Sequence, residues 1–276
     1  MTVWTRSIAT AFVVAAPFVS FASPAQAGIG DLLVAPTRIV LDGRKGAEVV
    51  LNNIGDEPAV YRVSVEFRRM DTNGSLEDVT EPTAADKTAE DMIVYAPRRV
   101  TLAPREPQSI RIAARPPAGL PDGEYRVHLL FRAIPPANPV VKQAGEAEKG
   151  LRFELTPVYG VTIPVIVRLG NLQATAGIAN VQRGLGSDGK PVVSVDLSRT
   201  GARSTFGEVR VLRAGVKDPI ALQKAIAVYT EINSRHVDVP VNPDFKGELS
   251  GPVTVQYVET FEDGSHVIAE TKAVLR

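Results

Sequence analysis

A two-residue rhythm restricts what this chain can fold into more than any other feature. Short Val/Ile/Leu/Tyr runs alternate with polar residues, as in Arg38-Ile39-Val40-Leu41, Tyr61-Arg62-Val63-Ser64-Val65-Glu66-Phe67 and Ile110-Arg111-Ile112. That period turns one face of an extended strand to a core and the other to water. The runs are closed by pairs suited to tight reversals: Asp42-Gly43, Asn73-Gly74, Asp122-Gly123, Asp188-Gly189 and Asp263-Gly264. With 22 glycines and 21 prolines, long helices are disfavoured. Short helices are expected only over Ala84–Met92 and Ala221–Val228. Strands at this spacing predict an all-β protein made of β-sandwiches.

Residues 1–27 stand outside that pattern. Arg6 is their one charge, an apolar run extends from Ile8 to about Phe21, and Ala25-Gln26-Ala27 has the small-x-small form that leader peptidases accept. The apolar run is too short to span a bilayer. The segment therefore reads as a signal peptide cut after Ala27. No apolar run of about 18 residues follows, so no later membrane span is expected.

Composition removes several function classes. Lys+Arg and Asp+Glu balance at 31 each, which argues against nucleic-acid binding through a broad basic surface. With no cysteine there is no disulfide scaffold, thiol nucleophile or zinc-thiolate site. His128, His236 and His266 lack metal-ligand spacing, and no nucleophile-elbow motif occurs. Glu146 and Glu148 fall in a polar stretch and read as solvated. Neither catalysis nor a metal or cofactor is expected.

A break falls at Arg168-Leu169-Gly170-Asn171, giving a first domain over 28–168 and a second over 169–276. Residues 135–150, rich in Pro, Ala, Lys and Glu, read as a long exposed loop. The strand pattern just before the break is unusually long. From Leu151 the odd positions are Leu151, Phe153, Leu155, Pro157, Tyr159, Val161, Ile163, Val165 and Val167. At ~3.3 Å per residue the run reaches roughly 55 Å, more than one small sandwich can cover. Pro157 and Pro164 cannot donate to a ladder and fit an edge strand. Two readings follow: an edge kept open to pair with another polypeptide's strand, or two ordinary buried strands interrupted at Pro157.

Four segments in order resemble the periplasmic pilus-assembly chaperones, the PapD-like family. They are Pro36-Thr37-Arg38-Ile39-Val40-Leu41-Asp42-Gly43; Tyr95-Ala96-Pro97-Arg98-Arg99-Val100-Thr101-Leu102-Ala103-Pro104 with Gln108-Ser109-Ile110-Arg111-Ile112; Leu120-Pro121-Asp122-Gly123-Glu124-Tyr125-Arg126-Val127 running to Arg132-Ala133-Ile134-Pro135-Pro136; and the long strand ending Val165-Ile166-Val167-Arg168. They span most of the first domain, while the second matches poorly. PapD is a standard example of an immunoglobulin-like sandwich, and chaperone–pilin complementation one of strand addition.

The resemblance implies two immunoglobulin-like sandwiches set in an L around a cleft. It also implies a periplasmic chaperone that holds a pilin or fimbrial subunit one to one by lending it a strand, with an outer-membrane usher as a further potential partner. The donor side chains would be Phe153, Leu155, Pro157, Tyr159, Val161 and Ile163. Arg38 matches the cleft arginine that binds the subunit's terminal carboxylate; the other reading is a solvated arginine on an outer face. Pro164 stands where the family has the cleft lysine, with Arg98 or Arg99 as conceivable substitutes. Glu124, Arg168 and Asp263 match an interdomain charge network, although Asp263 fits an ordinary hairpin equally well. The competing function is a surface or adhesive β protein that polymerises with itself.

Overall fold

The computed structural model describes residues 31–135, 158–261 and 264–276. The leader, most of the 135–150 stretch, Phe153, Leu155, Pro157 and Asp263 lie outside the described residues. Among the described residues strand accounts for 61% and helix for 4%, so the fold is all-β.

The first half contains β1 (Leu32–Ala35), β2 (Ile39–Leu41), β3 (Ala47–Asn53), β4 (Ala59–Glu66), β5 (Arg68–Met70), β6 (Leu76–Asp78), α1 (Ala84–Met92), β7 (Ile93–Ala96), β8 (Arg99–Leu102), β9 (Pro107–Ala114), β10 (Gly123–Ile134) and β11 (Gly160–Leu169). Two sheets, β1-β3-β9-β7 and β2-β11-β10-β4-β8, close on one apolar core. The alternation explains which side chains go in: Tyr61 and Val63, Ile110 and Ile112, Leu129 and Phe131, and Ile163, Val165 and Val167 are all buried there. The chain changes sheets between β1 and β2 and between β7 and β8, at the cis peptides Ala35–Pro36 and Ala96–Pro97.

The helix expected at Ala84–Met92 is present as α1. Thr83 caps it: its hydroxyl accepts from the Asp86 N–H while Asp86 accepts from the Thr83 N–H. Asp86 also receives Arg69 at 2.5 Å, tying the helix to β5.

The second half contains β12 (Ala174–Leu185), β13 (Pro191–Gly201), β14 (Thr205–Leu212), β15 (Ala221–Val228), β16 (Ser234–Pro240), β17 (Gly251–Phe261) and β18 (Gly264–Leu275). The sheets β12-β13-β16 and β15-β14-β17-β18 enclose a separate core of Val193, Val195, Leu197, Val209, Val211, Val255 and Tyr257. The helix expected at Ala221–Val228 is a correction: that segment is β15, paired antiparallel with β14. Its Ala/Leu/Lys content favours helix, but the ladder to β14 and burial of Ile226, Ala227 and Val228 outweigh local propensity. Its two-residue period is broken by a bulge of one extra residue, three steps from Gln223 to Ile226 opposing two from Val209 to Gly207, where Ala225 takes φ 59°.

The two sandwiches touch through a third cluster of Met70, Ile166, Ala227 and Tyr229, with Phe206 and Ile232 beside it. The β5–β6 hairpin, turned at Asn73-Gly74, reaches across as well: the His236 N–H donates to the Thr72 carbonyl at 2.7 Å. Among the described residues no helix is long and apolar enough to cross a membrane.

Candidate functional site: an open strand edge beside a buried arginine

Two features meet at the cleft between the sandwiches, an edge of β11 and an arginine just before β2. The first is the edge. β11 pairs with β10 from Gly160 to Leu169, but on its other side, among the described residues, β2 pairs only with Val165, Ile166 and Val167. The Ala133 N–H donates to the Tyr159 carbonyl at 3.0 Å. Antiparallel alternation then directs the backbone groups of Tyr159, Val161 and Ile163 to β10, and those of Gly160, Thr162 and Pro164 to the uncovered edge. Pro164 lacks an N–H on the side facing away from β10, so it removes no bond from the β10–β11 ladder.

The side chains follow the same parity. Tyr159 is 54% exposed, Val161 is half-buried against the core, and Ile163 is 1% exposed within it. The donor row expected from the sequence is therefore shortened. Ile163 is committed to its own sandwich, and among the described residues the apolar side chains left for a partner are Tyr159 and Val161.

The second feature is Arg38. Because Ile39 and Leu41 point into the core, Arg38 must point to the opposite face, where the second sandwich sits. Its guanidinium lies 4.6 Å from the Phe206 ring centre and 5.8 Å from that of Tyr229. One Nη donates to the Ser204 hydroxyl at 3.3 Å; the other is buried with no hydrogen-bond partner among the described residues. This is not the solvated outer-face arginine of the alternative reading. Burial lowers its basicity and neighbouring Arg168 adds to that, against the opposing pull of Tyr229 and Glu124.

Two other cleft arginines, Arg168 and Arg126, have carboxylates. Arg168 donates to Glu124 at 2.9 Å, and Glu124 also accepts the Ser204 N–H and hydroxyl at 3.0 and 2.9 Å. Arg168 in turn donates to the Ser204 carbonyl at 3.0 Å. Glu124 and Arg168, singled out together from the sequence, are thus brought together, and Ser204 carries their link into the second sandwich. Arg126 stacks 3.7 Å from the Tyr229 ring centre and holds Glu231 with two nitrogens. Burial pushes the Glu231 carboxyl up, but Arg126 and the Met70 N–H outweigh it and the net shift is downward. The second-sandwich carboxylate placed near this network is Glu259, held by Arg203 at 3.0 Å.

The substitutes for the absent lysine are not in place. Arg99 lies on β8, three strands from β11, and Arg98 stacks on Tyr95. Opposite Pro164 stands His128 on β10. Ser204, Phe206, Tyr229 and Glu231 were missed in the sequence because nothing in their local pattern sets them apart. Arg126 lay inside a quoted motif, but its partner is 105 residues away.

His128 is 1% exposed, and neither ring nitrogen has a partner among the described residues. Burial, with Arg126 and Arg68 close by, lowers its pKa from 6.5 to about 3. The folded protein keeps it neutral while the unfolded chain takes up a proton below pH 6.5. Its contribution is therefore intact above pH 6.5 and lost as pH falls towards 3. His128→Leu is expected to flatten the stability curve in that window by on the order of a few kcal/mol. Urea titrations at stepped pH measure it; identical slopes in both proteins would refute the assignment.

No family model matches the sequence, and no curated protein matches it. The chain is similar to solved structures of chaperones. With the YadV chaperone it shares 14% identity over 89% of this chain and 100% of that one, at a TM-score of 0.45. With the E. coli chaperone DraB the values are 15%, 89% and 96%, at 0.44. With Salmonella enterica SafA pilin in complex with the SafB chaperone they are 15%, 88% and 96%, at 0.43.

Proposed function

We propose that this protein is a periplasmic chaperone that holds a pilus or fimbrial subunit by strand addition. One observation carries the reading: among the described residues no strand pairs with β11 outside Gly160 and Thr162, and this edge runs towards Arg38, a partly buried arginine with one buried nitrogen that no described group engages. A partner strand laid on the edge gains main-chain bonds from Gly160 and Thr162. Apolar side chains of the row Phe153, Leu155, Pro157, Tyr159 and Val161 fill the partner's incomplete core, each large one contributing ~1.5–3 kcal/mol. Arg38 binds the partner's terminal carboxylate. A planar guanidinium suits that task, and flanking rings exclude water from the pair. Nothing is hydrolysed.

The residue set fits a single-cation anchor, since Pro164 occupies the lysine position and Arg126 and Arg168 already hold carboxylates. Glu124, Arg168 and Ser204 fix the angle between the sandwiches, and Asp263 is assigned to the same network by resemblance. The export signal over 1–27 delivers the chain to the periplasm, and handover to an outer-membrane usher completes the scheme.

The test mixes the mature chain with a subunit whose sandwich lacks its last strand. The expected result is a one-to-one complex by light scattering, with slowed amide exchange at Gly160 and Thr162. If the chain alone forms multimers through that edge, the self-polymerising alternative is correct instead.

A further inference from the structure

On the same sheet face as Arg38, beyond the reach of the second sandwich, three arginines stand in one cross-strand row. Arg132 on β10 is directly opposite Arg62 on β4, and Arg62 is directly opposite Arg99 on β8. Phe131, Ala133, Tyr61, Val63 and Val100, which adjoin them in sequence, are buried in the core, so all three must project outward. All three are exposed. Opposed residues on adjacent strands have Cβ atoms ~5 Å apart, and like charges so placed destabilise a sheet. Arg126 and Arg168, at the covered end of the face, each hold a carboxylate. No described carboxylate lies within ion-pair distance of Arg62, Arg99 or Arg132.

We propose that the Arg99–Arg62–Arg132 row is a docking surface for a carboxylate-bearing segment of the polypeptide held at the β11 edge. The row continues into Gly160, which is opposite Arg132 on β11. Gly160 adds no side chain there, and a Cβ would meet Leu130 at 2.9 Å. An acidic side chain from a strand paired outside β11 thus has only Gly160 and the Leu130 side chain lying over it between itself and Arg132. The direction of approach rests on the strand-addition reading; the charge row does not. A polypeptide is favoured over nucleic acid. The row is only about 10 Å long at ~4.8 Å per strand, and among the described residues no aromatic side chain interrupts it to stack a base.

Fluorescence anisotropy of the full mature chain tests this with a ten-residue Glu/Thr peptide, blocked at both ends so that no terminal carboxylate reaches Arg38. Its Gln/Thr counterpart and a ten-nucleotide single-stranded DNA are run beside it. The Glu peptide is expected to bind at least tenfold tighter than either and to weaken with salt. Arg62→Gln should lose that tenfold while its melting temperature holds or rises, because repulsion is relieved. Equal binding of the Gln peptide, tighter binding of DNA, or a lowered melting temperature in Arg62→Gln would overturn the proposal. Arg38→Ala separates the two readings. If it blocks subunit capture while the Glu peptide does not discriminate, the arginine row alone is wrong.

Discussion

Arg38→Ala is expected to weaken subunit capture thirtyfold or more while leaving a folded chain. Removing one partner of a buried, hydrogen-bonded charge pair at an interface costs about 2–5 kcal/mol, and about 1.4 kcal/mol is a factor of ten. The free protein should lose little. The guanidinium has one neutral hydrogen bond, to Ser204, and one unpartnered nitrogen, so truncation trades stacking on Phe206 and Tyr229 against relief of burial. The decisive measurement is a double-mutant cycle with a subunit lacking its own C-terminal residue. If Arg38 binds that carboxylate, the two losses should not add. Full additivity would show that Arg38 acts elsewhere.

Glu124→Gln is expected to produce the largest loss of stability. The Glu124 side chain is 1% exposed and receives Arg168 and both Ser204 donors, while Arg168 is 21% exposed. Breaking a buried pair by removing one charge costs about 3–5 kcal/mol, and partial exposure of Arg168 places this case at the lower end. The neutral amide also leaves Arg38 and Arg168 facing each other across Ser204 without a carboxylate between them. Urea unfolding should show the loss, and Glu124→Gln combined with Arg168→Gln should recover part of it. A single variant as stable as the parent would mean the network does not hold the sandwiches together.

The alternation of polar and apolar residues made most strands legible, since facing is set by each residue's immediate neighbours. The helix expected over Ala84–Met92 formed as α1, started by the Thr83 cap next to it. The alternation misled at Ala221–Val228, where a bulge shifts the period and pairing with β14 prevails. At Ile163 parity was read correctly, but the point where the row leaves its own core depends on how far the opposite sheet extends. Glu124 and Arg168 were readable as a pair through resemblance. Ser204, which joins them, has no pattern of its own.

By itself the sequence determined the class of fold, the inward and outward face of each regular strand, and Arg38 as the residue to examine. The first two follow from a period of two, which is local, and Arg38 came from the resemblance of the motif around it. Only the tertiary structure decided which stretch of β11 lacks a paired strand among the described residues, that Arg38 stacks on two aromatic rings while Arg126 and Arg168 are matched to carboxylates, and that Arg62, Arg99 and Arg132 form a row. Each of these depends on register between strands distant in sequence, and register comes from the joint packing of both sandwiches.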